Sequence, residues 1–147
     1  MSIVYVDSSA LVKRYRNEVG SGRVSELLQR AEQLLIARLT MVEVSSALVR
    51  RARATGMEVN NLRTTLAAFD EDLARSFDLI ELDELVMERA VGVARQYGLR
   101  GADAIQLACV LLARNQMPSE IILLSSDTEL NAAALLEGLK VENPEPM

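Results

Sequence analysis

Histidine and tryptophan are both absent from the 147-residue chain. Without histidine the chain loses the commonest general base, the usual nitrogen ligand of zinc and every Ser-His or Cys-His nucleophilic pair. Any metal chemistry must then run through oxygen ligands, which suit Mg2+ or Mn2+. Three tyrosines and two phenylalanines are the only aromatics, although half the residues are hydrophobic, so the core must be aliphatic, built from Leu, Val, Ile and Ala. One cysteine, Cys109, excludes an internal disulfide; flanked by Ala108 and Val110, it reads as a small core residue. No stretch reaches the roughly 18 uninterrupted apolar residues of a membrane span. The opening Met-Ser-Ile-Val-Tyr-Val-Asp lacks the basic, apolar and small-residue regions of a secretion signal. The expectation is a cytoplasmic protein of one domain over residues 1–147, with no membrane partner and with 143–147 as a frayed tail.

The chain has 16 basic and 21 acidic residues, a net charge of -5. Taken alone, that argues against nucleic acid as a partner, since phosphate binding favours basic surfaces. The cations are nevertheless clustered, at Lys13, Arg14 and Arg16 and again at Arg50, Arg51 and Arg53, while Arg38 and Arg100 stand near acidic residues. The Arg50 group reads as a solvated helix face, and Arg100 as a residue of the site.

Apolar runs and helical stripes alternate along the chain. Strands are predicted at Ile3–Val6, Leu34–Ala37, Asp78–Leu82 and Ile121–Leu124, with a short fifth at Lys140–Glu142. Helices are predicted between them: Ser8 to Arg16, Arg23 to Glu32, Thr40 to Ala54, Asn60 to Ser76, after Asp83 to Tyr97, Gly101 to Asn115, and Thr128 to Glu137. Thr40-Met41-Val42-Glu43 fits a capping box with Thr40 as N-cap, and Asp83 reads as a plain cap. Tyr5, Tyr15 and Tyr97 are expected to keep their hydroxyls at the surface. The stripe Leu62, Leu66, Phe69 and Leu73 is either core or a partner surface. The alternation implies a three-layer α/β/α sandwich around a mainly parallel sheet of four to five strands.

Ligands of such sheets sit beyond the carboxyl ends of the strands. Asp7 directly follows the first strand, Asp127 follows the fourth, and Glu43 opens the helix after the second. Asp103, in the first turn of its own helix, is not placed there by strand order. Each acid alone reads equally well as a helix cap. As a set they repel one another, and a divalent cation is the natural compensation. The chemistry implied is metal-assisted hydrolysis of a phosphodiester.

Four segments carry a resemblance: Tyr5-Val6-Asp7-Ser8-Ser9-Ala10-Leu11, Thr40-Met41-Val42-Glu43-Val44, Leu99-Arg100-Gly101-Ala102-Asp103-Ala104-Ile105-Gln106-Leu107-Ala108 and Leu124-Ser125-Ser126-Asp127-Thr128-Glu129-Leu130. In order and spacing they resemble the PIN-domain ribonucleases, specifically the VapC toxins of type II toxin-antitoxin pairs. The resemblance implies a PIN-like fold and an endoribonuclease dependent on Mg2+ or Mn2+, with the ion shared among Asp7, Glu43, Asp103 and Asp127. It also implies an RNA substrate, a homodimer and a cognate antitoxin that covers the site. Ser125 stands where the family commonly places a threonine and is assigned with Arg100 to substrate binding, although it reads equally as a turn residue. Two other classes fit less well. A haloacid-dehalogenase-like phosphatase wants a second Asp at the position of Ser9, and a receiver domain wants a late lysine where Ser125-Ser126-Asp127 stands. A non-catalytic binding module would have no need of all four acids.

Overall fold

The computed structural model describes residues 2–145. Within them the order of elements is β1 Ile3–Val6, α1 Ser8–Tyr15, α2 Ser21–Arg30, β2 Gln33–Ala37, α3 Arg38–Thr55, α4 Val59–Arg75, β3 Asp78–Ile80, α5 Glu84–Tyr97, α6 Gly101–Gln116, β4 Ile121–Leu124, α7 Thr128–Leu136 and β5 Lys140–Glu142. The five strands form one sheet in the order β3-β2-β1-β4-β5, and every pairing is parallel. The strand order reverses between β1 and β4, so the topological switch point lies beyond Val6 and Leu124, which stand opposite one another.

Alternation along the strands divides the core into two. Ile3, Tyr5, Leu35, Ala37, Ile121 and Leu123 face α5, α6 and α7. Val4, Val6, Ile36 and Leu124 face α1, α2, α3 and α4. Strands buried on both sides must be apolar at every position, which is why β1 reads Ile-Val-Tyr-Val with all four residues buried. The expected three-layer α/β/α sandwich is therefore the fold found, and the fifth strand completes its sheet.

Several local expectations change. The third strand ends at Ile80 rather than Leu82. The long helix begins at Arg38, its N-cap is Ala37 and no side chain caps it. The expected capping box at Thr40 is thus absent, because Thr40 and Glu43 already lie inside the helix and their side chains turn elsewhere. Asp83 does cap α5, accepting the Val86 amide at 2.9 Å. Phe69 is fully buried, with Leu66 and Leu73 packed against the same cluster, so most of that stripe is core. Tyr5 is also fully buried, contrary to the expectation that its hydroxyl reaches the surface. Cys109 is buried, as expected. In the tail, Pro144 is buried and Glu145 pairs with Lys13, so 143–145 do not behave as a frayed end; 146–147 lie outside the described residues. No described helix is long and apolar enough to cross a membrane.

Candidate active site

Asp7 follows β1 immediately and serves as the N-cap of α1, its carboxylate accepting from the Ser9 amide at 3.2 Å. The Ser9 hydroxyl donates to the same oxygen, Oδ2, at 2.6 Å. The Asp7 amide donates to the Leu124 carbonyl at 3.0 Å, which ties the end of β1 to the end of β4. That places Ser125-Ser126-Asp127 beside it. Asp127 is the N-cap of α7 and accepts from the Leu130 amide at 2.8 Å. Asp127 is thus itself the cap of α7. Glu43 enters from α3 on one face of the sheet, and Asp103, in the first turn of α6, from the other.

Asp7, Glu43, Asp103 and Asp127 line one cleft of about 460 Å³, together with Ser9, Lys13, Arg16, Glu18, Ser126 and Glu145. All four acids therefore share a hollow at the switch point, including the one that strand order alone left unplaced. A second hollow of about 310 Å³, lined by Arg14, Leu28, Asp72 and Phe77 among others, gathers no comparable set.

The electrostatics follow from burial and from like charge. Asp7 is only 2% exposed. Burial pushes its carboxyl up to about 6; the Ser9 hydrogen bonds pull it back, while Glu43 and Asp103 add repulsion. Burial also raises Asp103 to about 6, with further repulsion from Asp127, Glu43 and Glu129 and slight relief from Arg100. Among the described residues, no ion pair involves any of the four acids. Several cations close in sequence are engaged elsewhere: Lys13 with Glu18 and Glu145, Arg14 with Asp72, Arg16 with Glu18, and Arg38 with Glu81.

The donor set suits a hard divalent ion, being all oxygen and negatively charged without a protein counter-ion. Among the described residues, no three of the acids stand close enough together to hold a metal ion by themselves. An open carboxylate set of this kind suits Mg2+, which keeps several waters and takes few protein ligands.

The remaining expected residues fall differently. Ser125 is fully buried. Its hydroxyl lies 3.4 Å from Asp7 Oδ2 and accepts the Asp127 amide at 3.1 Å, so it links two acids beneath the cleft. Arg100 is exposed at the head of α6 and does not line the cleft. Arg50, Arg51 and Arg53 are exposed on α3. Sequence reasoning missed Ser9, Lys13 and Gln106. Ser9 was legible as the short hydroxyl two residues after an N-capping Asp. Gln106 was legible as a polar residue three positions after Asp103, on the same side of its helix. Gln106 is 1% exposed, and its Nε2 donates to Glu43 Oε1 at 2.8 Å.

Comparison with known proteins identifies the family and the fold. The PIN domain family profile matches residues 4–136. Ribonuclease VapC45 of Mycobacterium tuberculosis is 36% identical over 111 residues, covering 76% of each chain. Among solved structures, M. tuberculosis VapC20, described as a sarcin-ricin-loop-cleaving toxin, superposes with a TM-score of 0.68 at 16% identity, covering 88% of this chain and 94% of its own. A toxin-antitoxin complex from Klebsiella pneumoniae gives 0.65 at 22% identity, covering 98% and 99%. At those identities the two structures speak for the fold alone. The family profile spans nearly the whole chain and the VapC ribonuclease exceeds a third in identity: the chain belongs to the PIN domain family, and its relatives are VapC-type ribonucleases.

Proposed function

We propose that this protein is a divalent-metal-dependent endoribonuclease acting as the toxin of a type II toxin-antitoxin pair. One observation carries the reading: four carboxylates line a single cleft at the sheet's switch point, and no described lysine or arginine forms an ion pair with any of them. Asp7, Glu43, Asp103 and Asp127 would hold the ion, directly or through water. When bound, Mg2+ or Mn2+ supplies charge neutralisation, polarises a phosphodiester and lowers the pKa of an attacking water.

The chain's own residues do the rest. Ser9 and Ser125 keep Asp7 in place, and the Ser9 hydrogen bonds favour its ionised form. Asp127 is held by its own helix cap, so its side chain keeps one orientation. Lys13 and Arg16 line the same cleft but are paired there with Glu18 and Glu145, so the bound ion itself supplies the positive charge that a phosphate meets. Arg100, exposed three residues before Asp103, meets the RNA at the edge of the site. RNA as the substrate is supported by the relatives named ribonucleases. A cognate antitoxin belongs to the same proposal; the Klebsiella pneumoniae structure that shares the fold is a toxin-antitoxin complex. The protein works in the cytoplasm as a homodimer. A phosphoryl-acceptor role for Asp7 gains no support, since residue 9 is a serine already bonded to that carboxylate.

The test is cleavage of a structured RNA by the purified protein. Cleavage requires Mg2+ or Mn2+, stops with EDTA, and falls at least a hundredfold in Asp103→Asn while the circular dichroism is unchanged. Undiminished cleavage in EDTA, or in a folded Asp103→Asn protein, contradicts the proposal.

A further inference from the structure

A buried polar relay runs across the three layers beneath the cleft. The Tyr5 hydroxyl, on β1, donates to Gln106 Oε1, on α6, at 2.5 Å. Gln106 Nε2 then makes two bonds to α3, to Thr40 Oγ1 at 2.9 Å and to Glu43 Oε1 at 2.8 Å. Tyr5 and Thr40 are fully buried and Gln106 nearly so, whereas Glu43 is half-buried and reaches the cleft.

The chemistry of the four groups fixes how the Gln106 amide is oriented. A glutamine amide has one accepting oxygen and a nitrogen with two hydrogens to give. The Tyr5 phenol is fully buried and has one proton to give, with Gln106 Oε1 at hydrogen-bond distance to take it. The amide oxygen must therefore face Tyr5, and the nitrogen must face α3. The opposite orientation would set the amide oxygen against the Glu43 carboxylate and leave Tyr5 donating toward N–H hydrogens. Both N–H hydrogens are used, so the side chain has no competing arrangement in which its polar atoms are satisfied.

We infer that Gln106, locked by Tyr5, is a positioning residue for Glu43, engaging one carboxylate oxygen and leaving the other to the cleft. The inference rests on the metal-site reading given above. Gln106 is suited to the task because it is neutral: an arginine or lysine there would cancel the charge that a cation needs, whereas an amide donor orients the carboxylate and leaves that charge intact. This is the outer-shell support that metal-ligating carboxylates generally receive. It also explains the missing capping box, because Thr40 and Glu43 are turned toward Gln106 and away from the helix end.

The test is the Mn2+ dissociation constant of the full chain, measured by isothermal titration calorimetry without RNA, for wild type, Gln106→Met, Tyr5→Phe and Glu43→Gln. Gln106→Met keeps length and apolar bulk but has no donor; it should weaken Mn2+ binding about tenfold to a hundredfold. Tyr5→Phe removes only the hydroxyl and should weaken binding in the same direction by less. A folded Gln106→Met protein with wild-type Mn2+ affinity overturns the inference. Should that variant fail to fold, Tyr5→Phe decides, and wild-type affinity there overturns it equally. Glu43→Gln separates the two levels. If it binds Mn2+ as wild type does, the metal-site reading itself fails. If it weakens binding while Gln106→Met does not, only the positioning role fails.

Discussion

Ser9 holds Asp7 and is held in turn by the segment after β4. Its hydroxyl donates to Asp7 Oδ2 at 2.6 Å and accepts the Ser126 amide at 3.1 Å. One small side chain thus couples the first acid to the segment that carries the last. It also opposes the effect of burial on Asp7, which by itself would raise that carboxyl further than about 6.

Ser9→Ala should therefore raise the Asp7 pKa above its wild-type value and destabilise the metal-free protein by about 1–2 kcal/mol, the usual cost of an unpartnered buried acceptor. Carbon-detected NMR titration of the aspartate carboxyls measures the first effect, and urea denaturation the second. An unchanged Asp7 titration would show that the hydroxyl does not stabilise the charged form.

The two raised carboxyls set the sign of the pH dependence without metal. Asp7 and Asp103 titrate at about 6 in the folded protein, against 3.8 ordinarily. Between these values the folded state binds more protons than the unfolded state, so stability falls as pH rises through 6 and is regained toward pH 4. Glu18, held below its ordinary value by Lys13 and Arg16 despite its partial burial, acts in the opposite sense at the acid end. Melting in EDTA should thus occur at a higher temperature at pH 5 than at pH 7. Asp7→Asn should shrink that difference; a wild-type difference in this variant would contradict the assignment to Asp7.

The C-terminal segment is predicted to contribute to stability. Lys13 is 3% exposed and its ammonium bonds Glu18 at 2.8 Å and Glu145 at 2.6 Å. Removing a charge from such a pair costs more when the remaining partners are buried. Glu145→Gln leaves the buried Lys13 ammonium, but that ammonium keeps Glu18 and can still bond the glutamine oxygen, so the change should cost about 1 kcal/mol. Gly20→Ala should cost more, since Gly20 has φ +92° and an added Cβ would lie 3.0 Å from the Pro144 carbonyl oxygen. Chemical denaturation ranks the two, and the reverse order would contradict the packing described.

Phe69 and Arg50 provide a contrast in core and surface. Phe69 is fully buried and meets Tyr15 edge to face at 5.1 Å. Phe69→Ala should destabilise by about 3–5 kcal/mol. Arg50 is exposed, and Arg50→Ala should stay within about 0.5 kcal/mol of wild type. Thermal melts of both variants check this; a large loss in Arg50→Ala would mean that the α3 arginines are more than a solvated face.

Much of the fold was legible because strands buried on both faces are uninterrupted apolar runs, as Ile3–Val6 and Ile121–Leu124 show. Their parallel order then brought Asp7 and Asp127 together. Asp103 was not placed by that logic, since α6 follows another helix and its position depends on packing against α5 and the sheet. The capping box at Thr40 failed for a related reason. A Thr-x-x-Glu spacing fits a helix start, but Gln106, distant in sequence, offers both side chains a better partner. Residues 143–145 were misjudged because a chain end of this kind suggests fraying, while the Lys13 ammonium on α1 that pairs with Glu145 is invisible from the tail's own residues.

The most direct measurement is the position of Mn2+ in an anomalous difference map from a crystal grown with that ion. The account predicts a peak in the cleft between Asp7, Glu43, Asp103 and Asp127, lost or much reduced in Asp7→Asn. A crystal with Mn2+ at millimolar concentration and no peak among these four carboxylates would contradict it.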